Sequence, residues 1–113
     1  MADTEALTRR YIAAINDREW PVITQMLGEG AVHHYTGGEA EGPGEIVSLY
    51  QSMCDQLGWK IEIHAIATTE SWSATLHRNQ LSVGNFDVST AARLEDGRIV
   101  ELWTNGMPPL PAG

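Results

Sequence analysis

The period of the apolar residues changes once along the chain, and that change decides most of what the chain can fold into. From residue 59 onward the period is two. "WKIEIHAIA" sets Trp59, Ile61, Ile63 and Ala65 against Lys60, Glu62 and His64. Successive strand side chains point to opposite faces, so the alternation predicts a half-buried strand. "SWSATLHRNQL" and "NFDVSTAARL" read as second and third strands, "EDGR" is a tight-turn signal, and "IVELWTN" reads as the last strand. The expected result is four antiparallel strands, with residues 85–105 forming a hairpin.

Before residue 59 the spacing is mostly helical. Asp3 and Thr4 are caps for a helix that carries Leu7, Tyr11, Ile12 and Ile15 on one side and ends near Asn16. "REWPVITQMLG" restarts a helix: Pro21 suits its first turn, and Gly28 is expected to close it in the left-handed conformation. "AVHHYTG" reads as a strand. "GPGEIVSLYQSMCDQLG" then returns to helical spacing through Ile46, Leu49, Tyr50, Met53 and Leu57, closed by Gly58. Three helices therefore precede the main sheet. Residues 1–106 are expected to form one domain. Residues 107–113, in "MPPLPAG", are expected to form a flexible Pro-rich tail.

Composition narrows the partners. At 113 residues the chain has room for one core. Its formal charge of −8 repels phosphate backbones and anionic lipid surfaces, so neither nucleic acid nor membrane is an expected partner. No apolar stretch approaches the ~20 residues that cross a bilayer. The single cysteine, Cys54, has no partner for an internal disulfide and is expected to pack as a small apolar group. The first residues, "MADTEALTRRYI", lack the features of a signal peptide. A cytoplasmic location is expected.

"RRYIAAINDREWPVITQML", "AVHHYTGG", "GEIVSLYQ" and "ARLEDGRIVELW" resemble, in order and spacing, the ketosteroid isomerase and SnoaL-like polyketide cyclase superfamily, across roughly residues 5–105. The resemblance implies an α+β fold in which three N-terminal helices pack on a strongly curved, mainly antiparallel sheet. That sheet forms a cone with an internal apolar pocket, and the outer sheet face makes a homodimer. It aligns Tyr11 with the tyrosine that donates a hydrogen bond to the substrate oxyanion, and Tyr50 with another tyrosine of the same network. It aligns His34 with the catalytic aspartate base, Thr90 with a second, protonated aspartate, and Leu27 with a further network tyrosine. The strand parity it carries turns Leu102 and Thr104 inward and Trp103 outward. These departures from the isomerase pattern imply altered chemistry rather than steroid double-bond migration.

The pair His33–His34 decides between metal and acid–base chemistry. Neighbours on a strand point to opposite faces, so the two rings cannot ligate one ion from the same side, and no metal or cofactor is expected. The parity that sends Val32, His34 and Thr36 inward sends His33 and Tyr35 outward, which leaves His34 as the catalytic candidate. An imidazole, with an ordinary pKa near ~6.5, is suited to accept a proton at neutral pH. The plainer alternative is a His34 satisfied by a backbone carbonyl in a packed strand. Trp59, Trp72 and Trp103 lie on strands, where they line a pocket or fill an outer face; Trp72 is grouped with Tyr50, Thr90, Leu102 and Thr104 as substrate-binding. Asp87, Arg78 and Arg93 lack the second acid that an epoxide-hydrolase arrangement needs.

The expected function is therefore a cofactor-independent isomerase or cyclase acting on an apolar, carbonyl-bearing, polyketide-like molecule, with His34 as base and Tyr11 as oxyanion donor. The alternative is a non-catalytic protein that binds or sequesters an apolar small molecule.

Overall fold

In the computed structural model, residues 3–107 are described, and they build three helices and one six-stranded sheet. The first helix, α1 (Thr4–Asn16), starts where Asp3 accepts a hydrogen bond from the Ala6 backbone N–H at 3.1 Å. Of the stripe expected of the sequence it buries Tyr11, Ile12 and Ile15 and half-buries Leu7, and Thr4 and Thr8 extend the buried side toward its start. At its far end the Asn16 amide acts as a surrogate strand. It donates to the Ile61 carbonyl at 2.9 Å and accepts from the Ile61 N–H at 2.8 Å. That clamp ties the end of α1 to the backbone of Ile61.

The second helix, α2 (Trp20–Met26), begins with Pro21 as expected but ends one residue earlier than the glycine signal implied. Leu27 leaves it already extended, at φ −90° and ψ 139°, because its side chain belongs to the core. Gly28 is therefore a strand residue rather than a left-handed cap. The third helix, α3 (Gly42–Leu57), is closed by Gly58 at φ 60°, and it buries Ile46, Tyr50, Met53 and Leu57.

The strands are β1 (Leu27–Tyr35), β2 (Gly38–Glu41), β3 (Lys60–Thr68), β4 (Trp72–Leu81), β5 (Gly84–Glu95) and β6 (Arg98–Asn105), in the spatial order β2-β1-β6-β5-β4-β3. All neighbours are antiparallel except β1 and β6, which run parallel. The expected hairpin is present. Asp96 and Gly97 take φ 51° and 75° between Glu95 and Arg98, the two-residue turn that an Asp-Gly pair favours. β2 has no counterpart in the sequence reading, since only Ala40 of its four residues is buried and no apolar alternation marks it.

The parity of β1 differs from the one expected. Ala31 and His33 are buried, whereas Val32 and His34 are only partly so. The reason is an irregularity in the β1–β6 pairing. Leu27 pairs with Ile99 and Val32 with Glu101, so five steps on β1 match two on β6. An odd surplus of residues turns every later side chain to the other face. His33 therefore points inward and His34 outward.

Of the segment expected to form a tail, only Met107 lies among the described residues, and it is buried. Gly106 makes that possible. It sits at φ 100° with no room for a side chain, since a Cβ there would lie 3.0 Å from the Asp87 carbonyl oxygen.

Candidate functional site

Between the helices and the inner sheet face lies a cavity of about 80 Å³. Its apolar lining comes from Ile12, Ile15, Leu49, Met53, Ile61 and Leu102. Into this apolar shell project polar groups from six elements. Tyr11 comes from α1 and Tyr50 from α3, and each is placed by its helical stripe. His33 comes from β1. The inward alternation of β4 supplies Ser73, Thr75, His77 and Asn79, and β5 and β6 supply Thr90 and Thr104.

These groups are joined rather than scattered. The Tyr11 and Tyr50 hydroxyls lie 2.7 Å apart, and Tyr50 Oη lies 2.7 Å from His33 Nδ1. The other nitrogen of that ring, Nε2, is 2.8 Å from Thr104 Oγ1. Thr104 meets Thr90 at 2.9 Å, and Thr90 meets His77 Nε2 at 2.9 Å. His77 Nδ1 then reaches Asn79 Oδ1 at 3.1 Å. One line of hydrogen bonds thus runs from α1 across the pocket to β4. A buried hydroxyl or ring nitrogen without a partner costs ~1–3 kcal/mol, so each member depends on the next. Among the described residues, Trp59 Nε1 is the buried side-chain polar atom without a partner; its ring packs against Tyr50 with centroids 5.3 Å apart.

Burial sets the protonation states. It lowers His33 from 6.5 to about 4, helped by charge repulsion from His34 and His77. His77 also falls from 6.5 to about 4, again through burial, against an opposing hydrogen bond from Asn79. Both imidazoles are therefore neutral at pH 7. Burial raises both tyrosines well above the usual phenol value, so both keep their protons.

Five of the residues singled out in the sequence, Tyr11, Tyr50, Thr90, Leu102 and Thr104, line this cavity. Two do not. His34 lies on the outer face, with Nε2 2.7 Å from Glu101 and Nδ1 3.0 Å from Glu39, and its ring stacks on Trp103 at 5.5 Å. Trp72 is 43% exposed and also stacks on Trp103, with ring centroids 5.7 Å apart. Its place on β4 is even-numbered, and the inward positions of that strand are odd. Asp87 and Arg78 form an exposed ion pair at 3.0 Å, away from the cavity.

A family model for a SnoaL-like domain matches residues 8–102. The chain belongs to the SnoaL-like domain family. No curated protein sequence matches it significantly. Solved structures carry the same fold. An NTF2-like protein of unknown function from Cytophaga hutchinsonii superimposes with TM-score 0.84 at 18% identity, covering 96% of this chain and 93% of that one. A protein from Sinorhizobium meliloti described as a candidate polyketide cyclase gives 0.83 at 13% identity, covering 88% and 94%. One from Kribbella flavida described as a candidate ketosteroid isomerase gives 0.82 at 17% identity, covering 95% and 82%. At these identities the likeness establishes the fold alone.

His33, His77 and Asn79 were not among the residues that sequence reasoning selected. A signal for two of them was present. "SATLHRNQ" alternates Ser73, Thr75, His77 and Asn79 at period two, a polar inner face that a search for apolar alternation passes over.

Proposed function

We propose that this SnoaL-like protein is a small-molecule isomerase or cyclase that works by general acid–base chemistry, without a cofactor, on an apolar carbonyl- or hydroxyl-bearing substrate of polyketide-like kind. The carrying observation is the buried, neutral His33, hydrogen-bonded through Tyr50 to Tyr11 on the wall of an apolar pocket. In this reading Tyr11 meets the substrate oxygen, Tyr50 couples it to His33, and His33 takes the basic role that parity had given to His34. The low dielectric that depresses the imidazole also strengthens each hydrogen bond to a developing oxyanion. Irregular pairing in β1, β3 and β5 supports a sheet bent around the substrate in the manner of a cone.

A second reading has its own support. Both nitrogens of His33 are already engaged, by Tyr50 and Thr104, and neither is free for direct attack on a bound molecule. On that basis the pocket would sequester an apolar ligand without turning it over. Deuterium exchange separates the two. Enolisable bicyclic ketones incubated with the protein in D₂O should gain deuterium beside the carbonyl faster than in buffer. Saturable binding with no exchange would select the sequestering reading instead.

We also infer that the outer sheet face pairs with a second copy. Trp72, Leu76 and Trp103 form an apolar strip there, with Trp72 and Leu76 43% and 58% exposed. The chain should sediment as a dimer at tens of micromolar, and Trp72→Glu should shift it to monomer. A wild-type monomer at that concentration would refute the pairing.

A further inference from the structure

The line of hydrogen bonds has a direction, and one residue fixes it. Asn79 donates its Nδ2 to the Met107 sulfur at 3.1 Å, which leaves Oδ1 facing His77 Nδ1. An amide oxygen only accepts, so the His77 proton sits on Nδ1, and its Nε2 is a bare acceptor. Thr90 must therefore donate to His77, and a hydroxyl that has given its one proton accepts from its other neighbour. Thr104 thus donates to Thr90 and accepts from His33 Nε2–H. His33 Nδ1 is bare and accepts from Tyr50, which in turn accepts from Tyr11. Each bond of the line then has one donor and one acceptor. At the pocket end, Tyr11 has committed its proton to Tyr50 and offers the ligand a lone pair.

We propose that Asn79 sets the direction of this line and that the line is a proton relay, which receives a proton from a ligand hydroxyl at Tyr11 and delivers one to His77 on the opposite wall. The proposal rests on the pocket being a small-molecule site. The transfer balances group by group. The ligand O–H bond breaks and its proton binds Tyr11 Oη, while the Tyr11 proton passes to Tyr50 and the Tyr50 proton to His33 Nδ1. The proton on His33 Nε2 moves to Thr104, that of Thr104 to Thr90, and that of Thr90 to His77 Nε2. What remains is a ligand oxyanion and a His77 imidazolium. Each hydroxyl and His33 end neutral. The bonds now all point the other way, so Tyr11 has become a donor aimed at the oxyanion it helped to create. His77 keeps its Nδ1–H on Asn79 throughout. Asn79, Thr90 and Thr104 are positioning residues that act through the histidines and tyrosines. The resting line consequently favours a ligand that presents an alcohol, phenol or enol to Tyr11, and a ketone meets a donor there once the line has turned round.

Imidazole ¹⁵N spectra of the full-length chain at neutral pH test the line without any ligand. His33 should be protonated on Nε2 and His77 on Nδ1. In Asn79→Leu the acceptor is gone, so His77 should move its proton to Nε2 to reach Thr90, and His33 should follow to Nδ1. A His33 that keeps its Nε2 proton in Asn79→Leu, or the opposite tautomers in the wild type, would overturn the relay. Should Asn79→Leu not fold, Thr104→Val decides. It should switch His33 alone, because His33 Nε2–H loses its acceptor, and an unchanged His33 would refute the coupling. The ligand class is read with cyclohexanol and cyclohexanone, which share a skeleton. The alcohol should bind about fivefold more tightly in the wild type, the worth of one net hydrogen bond, and the order should invert in Asn79→Leu. Equal affinities would remove the hydroxyl preference. Binding of neither would count against the small-molecule pocket itself, while the tautomers would still judge the line.

Discussion

Acidification from pH 6.5 to pH 4 should cost this fold about 5 kcal/mol, a loss that comes from two side chains. His33 and His77 both bind a proton near 6.5 when unfolded and only at about 4 when folded, because burial disfavours the imidazolium. Between those values the unfolded chain holds more protons than the native one, so stability falls as pH falls. Their contribution is whole above pH 6.5 and lost once the pH drops below about 4. Each pKa unit is worth ~1.4 kcal/mol, which makes the pair comparable to the ~5–15 kcal/mol that holds a typical domain together. The carboxylates Glu19, Asp87 and Glu101, lowered by hydrogen bonds from Arg10, Arg78 and His34, act at lower pH, so they do not produce this window. Urea unfolding at pH 7 and pH 5 is the measurement. The unfolding free energy should fall by roughly 2–3 kcal/mol per pH unit near pH 5, the slope for about two protons. His33→Gln and His77→Gln should each remove about half of that slope, since glutamine can donate and accept but does not titrate in this range. A flat profile between pH 7 and pH 5 would mean that the two rings are not buried as neutral groups.

The architecture was legible in the sequence because it depends on periodicity and punctuation. Asp3 as a cap, Gly58 as a left-handed stop and Asp96-Gly97 as a turn are local signals, and each element they bound is present. The site was legible only in part, because it depends on which face a strand turns inward. Tyr11 and Tyr50 lie on helices, where the apolar stripe carries the side-chain direction without ambiguity. His33 and His34 lie beyond an irregularity that nothing in "GEGAVHHY" locates. Moving a bulge by one residue exchanges their roles completely. His77 and Asn79 were hidden for a different reason. They occupy inward positions that an ordinary strand fills with Val or Leu, so their polarity argued for exposure when it marked a hydrogen-bonded interior.

His33 and His34 offer the sharpest test of the acid–base reading, because they are adjacent, chemically identical and placed on opposite faces. His33→Gln keeps an acceptor for Tyr50 and a donor for Thr104, but an amide neither takes a proton from Tyr50 nor passes one on. If His33 is the base, exchange or turnover should drop by ~10²–10⁴ with ligand affinity nearly unchanged. Tyr11→Phe preserves the ring and removes the hydroxyl that in this reading meets the substrate oxygen, so its loss should be ~10²–10³. His34→Ala removes a ring held between Glu39 and Glu101 on the outer face, and activity should stay within about twofold, as for surface substitutions away from a site. The pH profile carries the same information independently. The neutral imidazole accepts the proton, so activity rises with pH through the pKa of the base and is constant above it. For His33 the rise belongs near pH 4 and the rate should be level from about pH 6 upward. A rise centred near neutrality, or equal rates for the wild type and His33→Gln, would move the chemistry off His33 and leave ligand sequestration as the function of the pocket.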